Sequence, residues 1–386
     1  MSILAAARIS RAPIAALAAV GVIWGGFAAL APDIKAAAEA DDRAFGLALL
    51  MAAAGGMAAM YLAPRIARAL GRRVLPVAGV VLLAAFFYSP LAGNVWQLGL
   101  ALFGMGVSVA TLDITANMRI SALEARHKLH LMNLNHAMFS FAFAGAAFAT
   151  SLARKAGFGP AEVMPALALF TVLLWLFLFE RRAGAEEHPQ EHAPEKGSVP
   201  WGPIAIVAAM LFLAFICENA TEAWSALHIE RTLGGAHGEG GFGPMMLGLT
   251  MGVGRLVGQF VAEKVGEARL ILGSAVLGSL GALVIAGATT PLAAMAGVGL
   301  LGFGAAVIVP SSNSILGHAV PTALRGFAIA RAWLFGFTGF FIGPTLMGFL
   351  SDAYGLRMAF LAVALMMAAT IPLVMLLRRR EEAARA

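Results

Sequence analysis

Apolar residues run along this chain in blocks of about twenty, separated by short polar turns. Windows of that length give twelve segments, at roughly 13–32, 44–63, 74–93, 96–118, 131–153, 160–179, 201–222, 241–261, 270–288, 292–315, 326–349 and 358–377. At about 1.5 Å per residue, each is long enough to cross a hydrocarbon core as a helix. The pattern predicts an all-α membrane protein with twelve transmembrane helices. The first block follows Arg8 and Arg11 in the manner of a secretion signal. It is longer than a signal core and a second block follows directly, so it reads as the first membrane helix.

Composition agrees: 60% of residues are hydrophobic, 12% are charged and mean hydropathy is +0.83. A soluble chain of this length would carry roughly twice that charge. The net charge of +6 would suit a nucleic-acid binder, but the positions of the basic residues explain it otherwise. With both termini cytoplasmic, nineteen Lys and Arg fall in inside loops and six in outside loops, the bias that orients membrane helices. The expected location is a bacterial-type inner (plasma) membrane, multi-pass, with both termini cytoplasmic. Cys217 is the only cysteine, so no intrachain disulfide forms. The sequence holds no Walker loop, no metal-spaced Cys/His cluster and no helical His-Glu-x-x-His. An enzyme, a cofactor and a bound metal are therefore not expected. The expected partners are the bilayer, a small-molecule substrate and protons, with the chain a monomer and no nucleic acid bound.

The one long polar run, Glu180–Pro200, has four further glutamates and three prolines and cannot bury apolar area. It reads as a flexible cytoplasmic linker at 181–200, dividing a six-helix bundle at 1–180 from another at 201–386. The halves look like copies. Gly71 after segment 2 aligns with Gly266 after segment 8. An offset of 198 places Gly104 and Gly106 on Gly302 and Gly304, and Gly145 on Gly343. Two pseudo-symmetric bundles of six helices are the expected fold.

Twelve segments, a central loop and Gly-Arg-Arg after the second helix resemble the major facilitator superfamily. LDITANMRISALE and MNLNHAMFSFAFAGA, within Leu112–Ala146, look like its YbjJ-type subfamily, distantly related to fucose-type sugar:proton symporters. CENATEAWSAL (Cys217–Leu227), GVGRLVGQ (Gly252–Gln259) and GFGAAVIVPSSNS (Gly302–Ser314) fit the same resemblance. It implies a secondary carrier that binds a solute at midplane between its halves and alternates access to the two sides. The implied activity is proton-coupled movement of a small polar, sugar-like solute. A proton-driven exporter stands as the alternative, and so does a non-transporting membrane sensor or assembly protein of the same fold. Two departures matter. Arg68 stands where the superfamily loop usually has an acid, its counterpart being Glu263. Segment 5 has Gly145-Ala146 instead of the Gly-Pro of many drug antiporters, whereas segment 11 has Gly343-Pro344.

Charges inside apolar blocks are costly and mark candidates for function. Asp113 and Asn117 lie four apart, on one helical face; they read as a proton or substrate site, or as a pin between helices. Glu218 and Glu222 share a face in segment 7, where two acids do not both ionise easily. Glu222 reads either as part of that pair or as a solvated residue at the outer end of its helix. Arg255 needs a carboxylate, with Glu218 or Asp113 as candidates, or an anionic substrate. His136 reads as a proton shuttle or a packed polar residue, and Asn313, after Pro310, as a substrate contact at a broken helix. Trp24 and Trp224 read as stacking surfaces for a solute or as packing. In the cytoplasmic loops, Arg68, Arg72, Arg73 and Glu124 in one half, and Glu263 and Arg325 in the other, read as an ionic gate of the outward-open state.

Overall fold

The computed structural model describes residues 3–127, 131–177, 199–321 and 324–385. The linker read at 181–200 lies almost wholly outside these residues. In chain order the helices are α1 (Ile3–Ile9), α2 (Arg11–Ala37), α3 (Asp42–Leu70), α4 (Val74–Tyr88), α5 (Val95–His127), α6 (Met132–Lys155) and α7 (Pro160–Trp175). The second half follows with α8 (Trp201–Leu227), α9 (Phe242–Val265), α10 (Glu267–Gly287), α11 (Pro291–Ala306), α12 (Ile308–Ala319), α13 (Arg325–Gly336), α14 (Thr338–Tyr354), α15 (Leu356–Ala368) and α16 (Thr370–Arg385). Apart from α1, these account for the twelve apolar segments, the last three each built from two consecutive helices.

Proline sets two of those breaks. Pro310 and Pro372 sit in the first turns of α12 and α16, where a missing N–H costs nothing but the preceding helix cannot continue through it. Several helices also run well past their apolar windows. α5 continues to His127, and α8 runs to Leu227 before a five-residue π turn, His228–Thr232. The window measures hydrocarbon thickness, not helix length. Among the described residues, eight helical stretches are long and apolar enough to cross a membrane, while Val74–Tyr88 and Pro160–Trp175 are shorter apolar helices. Large side chains such as Leu91, Trp96 and Leu169 are exposed on the outside, which lipid tolerates because backbone polar groups are satisfied within each helix.

Packing repeats between the halves. α6 lies along α2 as α13 and α14 lie along α8, and α5 packs on α3 and α4 as α11 packs on α9 and α10. The glycines of this repeat are paired differently from the constant 198-residue offset. Gly106 and Gly302 press against α3 and α9, whereas Gly104 and Gly304 press against α4 and α10. Glycines matched by the constant offset therefore face different neighbours in the two halves, which glycine spacing alone does not reveal. Gly145 has open space beside it while Gly343 abuts the backbone of Ile216, so that pair also differs in contact. The halves meet along α6 with α9 and α3 with α14. At the second contact Gly46 and Gly348 bring two backbones together, and a Cβ on Gly348 would lie 2.6 Å from Asp42 O.

Candidate functional site

A polar chain crosses between the halves. One turn apart on α5, Asp113 and Asn117 lie within side-chain reach of each other. Asn117 Oδ1 lies 3.0 Å from His136 Nε2 on α6. One turn further along α6, Ser140 donates to the His136 carbonyl and accepts a 2.7 Å hydrogen bond from Arg255 Nη1 of α9. Arg255 Nη2 donates to Glu218 Oε1 of α8 at 3.3 Å. Arg255 also lies within electrostatic reach of Asp113, His136 and Glu222. One guanidinium thus stands among three carboxyl groups, Asp113, Glu218 and Glu222, so full ionisation of all three would leave two negative charges uncompensated in a low-dielectric interior.

Glu222 is the most secluded of the three. It is 8% exposed, and its Oε1 has no hydrogen-bond partner. The solvated reading of this residue is overturned, because α8 runs beyond the apolar window and keeps position 222 inside the bundle. Two cavities meet at it. One, with about 410 Å³ of empty space, is walled by Trp24, Phe27 and Ala28 of α2, Leu49, Ala52 and Ala53 of α3, Asn219, Glu222 and Ala223 of α8, and Phe340 and Pro344 of α14. The other, about 220 Å³, is more polar, with Ser140, Glu218, Glu222 and Arg255 beside Phe139, Phe143, Leu247 and Met251.

Comparison with known proteins bears on what such an interface does. Residues 207–386 match the Major Facilitator Superfamily model. An uncharacterized MFS-type transporter of Yersinia pestis is 26% identical over 350 residues, covering 90% of each chain. Membrane protein MosC of Rhizobium meliloti is 26% identical over 356 residues, covering 89% of this chain and 84% of that protein. Among solved structures, the nucleoside transporter NupG superposes with a TM-score of 0.69 at 15% identity, over 95% of this chain and 99% of that one. A D-xylose–proton symporter gives 0.68 at 15%, over 94% and 98%. Residues 207–386 thus carry the superfamily's sequence signature, and the chain as a whole has the fold of these solved transporters.

At the face of the transporter opposite its termini, two ionic clasps hold the halves together. Arg154, at the end of α6 and 1% exposed, grips Asp33 of its own half with Nε and Nη2, both at 2.7 Å. It reaches Glu230 of the other half with Nη1 and Nη2, at 2.6 and 3.1 Å. His237 adds contacts to the Arg154 carbonyl and to Asp33. In the second clasp Asp42 receives Arg231 at 2.5 and 2.6 Å, Lys35 at 3.2 Å, and the hydroxyl of Ser351. Burial alone would push the Asp42 carboxyl up, but Arg231, Ser351 and Lys35 together hold it down, at about 2. Glu230 and Arg231 both stand on the π turn, whose wide backbone loop sets two adjacent side chains against the other half.

Several predicted residues serve elsewhere in the transporter. Trp224 lines neither cavity; it is fully buried, donates to Pro344 O at 3.0 Å and packs edge-on against Phe45. Asn313 accepts from Trp333 Nε1 at 3.1 Å, which ties α12 to α13. Trp24 stacks on Phe27 and does line the larger cavity. Of the gate residues, the side chains of Arg68, Arg72 and Glu263 lie outside the described residues, and Arg73 is exposed. Glu124 Oε1 accepts from the N–H groups of Leu131 and Met132 at the start of α6, and Arg325 Nε donates to Gly317 O near the end of α12. Both act as helix caps here. Sequence reading missed Ser140 and Asn219, neutral residues that carry no cost signal, and the partners of the clasps.

Proposed function

We propose that this transporter moves a small polar solute by alternating access coupled to protons, in a bacterial-type inner membrane with both termini cytoplasmic. Asp113, Glu218 and Glu222 are the proton or substrate acceptors, and Arg255 is their counter-charge. The observation that carries this reading is Arg255 itself, bonded at once to Ser140 of one half and Glu218 of the other. A proton arriving at Glu218 frees Arg255, the side chain that also bonds Ser140 of the other half, so protonation and conformation are coupled through one side chain. In this orientation the two clasps lie on the outer face, and the structure corresponds to a state closed to the outside. The smaller cavity offers a solute polar partners at Ser140, Glu218 and Arg255.

The test is proton movement in liposomes holding the purified transporter, on addition of sugars, amino acids and organic acids in turn. A pH change driven by one solute, lost in Glu218→Gln or Asp113→Asn, supports the reading, and its sign gives the direction. Solute flux without proton movement would sink the coupling. A second reading, proton-driven export, is favoured by one observation: the buried, partnerless oxygen of Glu222, a place for a proton to rest.

A further inference from the structure

The larger cavity has walls that a proton-coupled carrier does not by itself require. They are aromatic and aliphatic, with Trp24 and Phe27 from one half and Phe340 from the other. Asn219 and Glu222 supply the cavity's only amide and carboxyl side chains, and the Asn219 amide already donates to Phe215 O. Glu222 is more than nine-tenths buried and has an oxygen with no donor. Arg255, the cation beside it, spends its hydrogen bonds on Ser140 and Glu218. A buried polar atom without a partner is costly, and so is a polyhydroxylated solute against walls that offer its hydroxyls almost nothing. A protonated amine on an apolar body answers both. Its N–H groups meet the Glu222 carboxyl at the cavity wall, its charge lies near aromatic rings, which attract cations, and its body leaves water for the apolar wall.

We propose that the transporter's solute is a small organic amine, its ammonium group held by Glu222 and its apolar body by Trp24, Phe27 and Phe340. The proposal rests on the carrier reading above and adds to it the chemical class of the solute.

Calorimetric titration of the purified transporter in nanodiscs with phenethylamine, 2-phenylethanol, glucosamine and glucose at pH 7 is the test. Phenethylamine should bind at least about tenfold more tightly than its neutral isostere 2-phenylethanol, a margin within reach of one desolvated cation contact. It should also bind more tightly than glucosamine, which has the charge without the apolar body. Glu222→Gln should erase the preference for amine over alcohol, and Trp24→Leu should weaken phenethylamine in either case. Equal binding of phenethylamine and 2-phenylethanol overturns the proposal, as does a preference that survives Glu222→Gln. Should Glu222→Gln fail to fold, the contrast of the two probes on the unmodified chain and on Trp24→Leu still decides. The same preparation in liposomes separates this failure from that of the carrier reading. Neutral sugars driving Glu218-dependent proton movement, without an amine preference, overturn the amine alone. An amine preference without proton movement for any solute upholds the amine site and overturns the coupling.

Discussion

Arg255 shows what a single side chain can be asked to hold. Removing it in Arg255→Met leaves Glu218 buried without its cation, a change that typically costs about 3–5 kcal/mol. The expected outcome is a clearly lowered unfolding temperature in detergent. Adding Glu218→Gln to the same chain should restore most of that stability, because no buried charge is then left alone, while solute-driven proton movement stays absent. If the double variant is as unstable as the single one, the pairing is not what stabilises this layer. The pairing was legible beforehand, since an arginine within an apolar block must find a carboxylate and Glu218 was among the few available. Asp113, Asn117 and Glu218 stood out for the same reason. Ser140 did not, because a serine in a membrane helix is common and nearly free of cost. Glu222 was left open between a pair with Glu218 and a solvated helix end, since its apolar window closes where its helix does not.

The clasps join elements far apart in the chain. Asp33 and Arg154 are 121 residues apart, and Arg231 and Asp42 are 189 apart. In the sequence these residues are loop charges that orient the protein, with nothing to say which would meet. The break near Pro310 was easier, because proline acts on its own helix. Opening this face strips Arg154 of Glu230 but leaves it Asp33, so Glu230→Gln should favour the open state without stranding a buried arginine. Ser151, buried and bonded to Gly238 O across the interface, offers a readout. In a Cys217→Ser background, Ser151→Cys should react slowly with an impermeant thiol reagent added outside. Adding Glu230→Gln should speed that labelling several-fold, a change expected from loss of about 1 kcal/mol of clasp energy. Unchanged labelling would remove the clasp from the conformational balance. Gly348→Leu should act in the same direction, because a side chain there collides with the Asp42 carbonyl.

For the whole molecule, two six-helix halves were visible in the spacing of apolar blocks, and their repeated packing appears in the helix contacts. What the repeat did not show is which end is shut, because that depends on side chains that break the symmetry. The second clasp also bears on pH. Since the Asp42 carboxyl is held down to about 2, below the usual carboxylate range, its contribution to the closed state is fully present above about pH 4. It fades only as pH falls through about 2. Labelling of Ser151→Cys should therefore be flat between pH 5 and pH 8 as far as this clasp is concerned. A steep change there would point to another group. The three carboxyls around one guanidinium have a further consequence, for voltage. Where an ammonium on Glu222 replaces a proton on the same oxygen, each cycle exchanges one positive charge for another and the membrane potential does no work on it. Where solute and proton ride together on separate carboxyls, each elementary charge crossing the membrane feels about 2.3 kcal/mol per 100 mV. Clamping the potential across a liposome would then speed one mode and leave the other unmoved, so the arrangement of four side chains decides whether the cell's electrical gradient, or only its chemical one, drives this transporter.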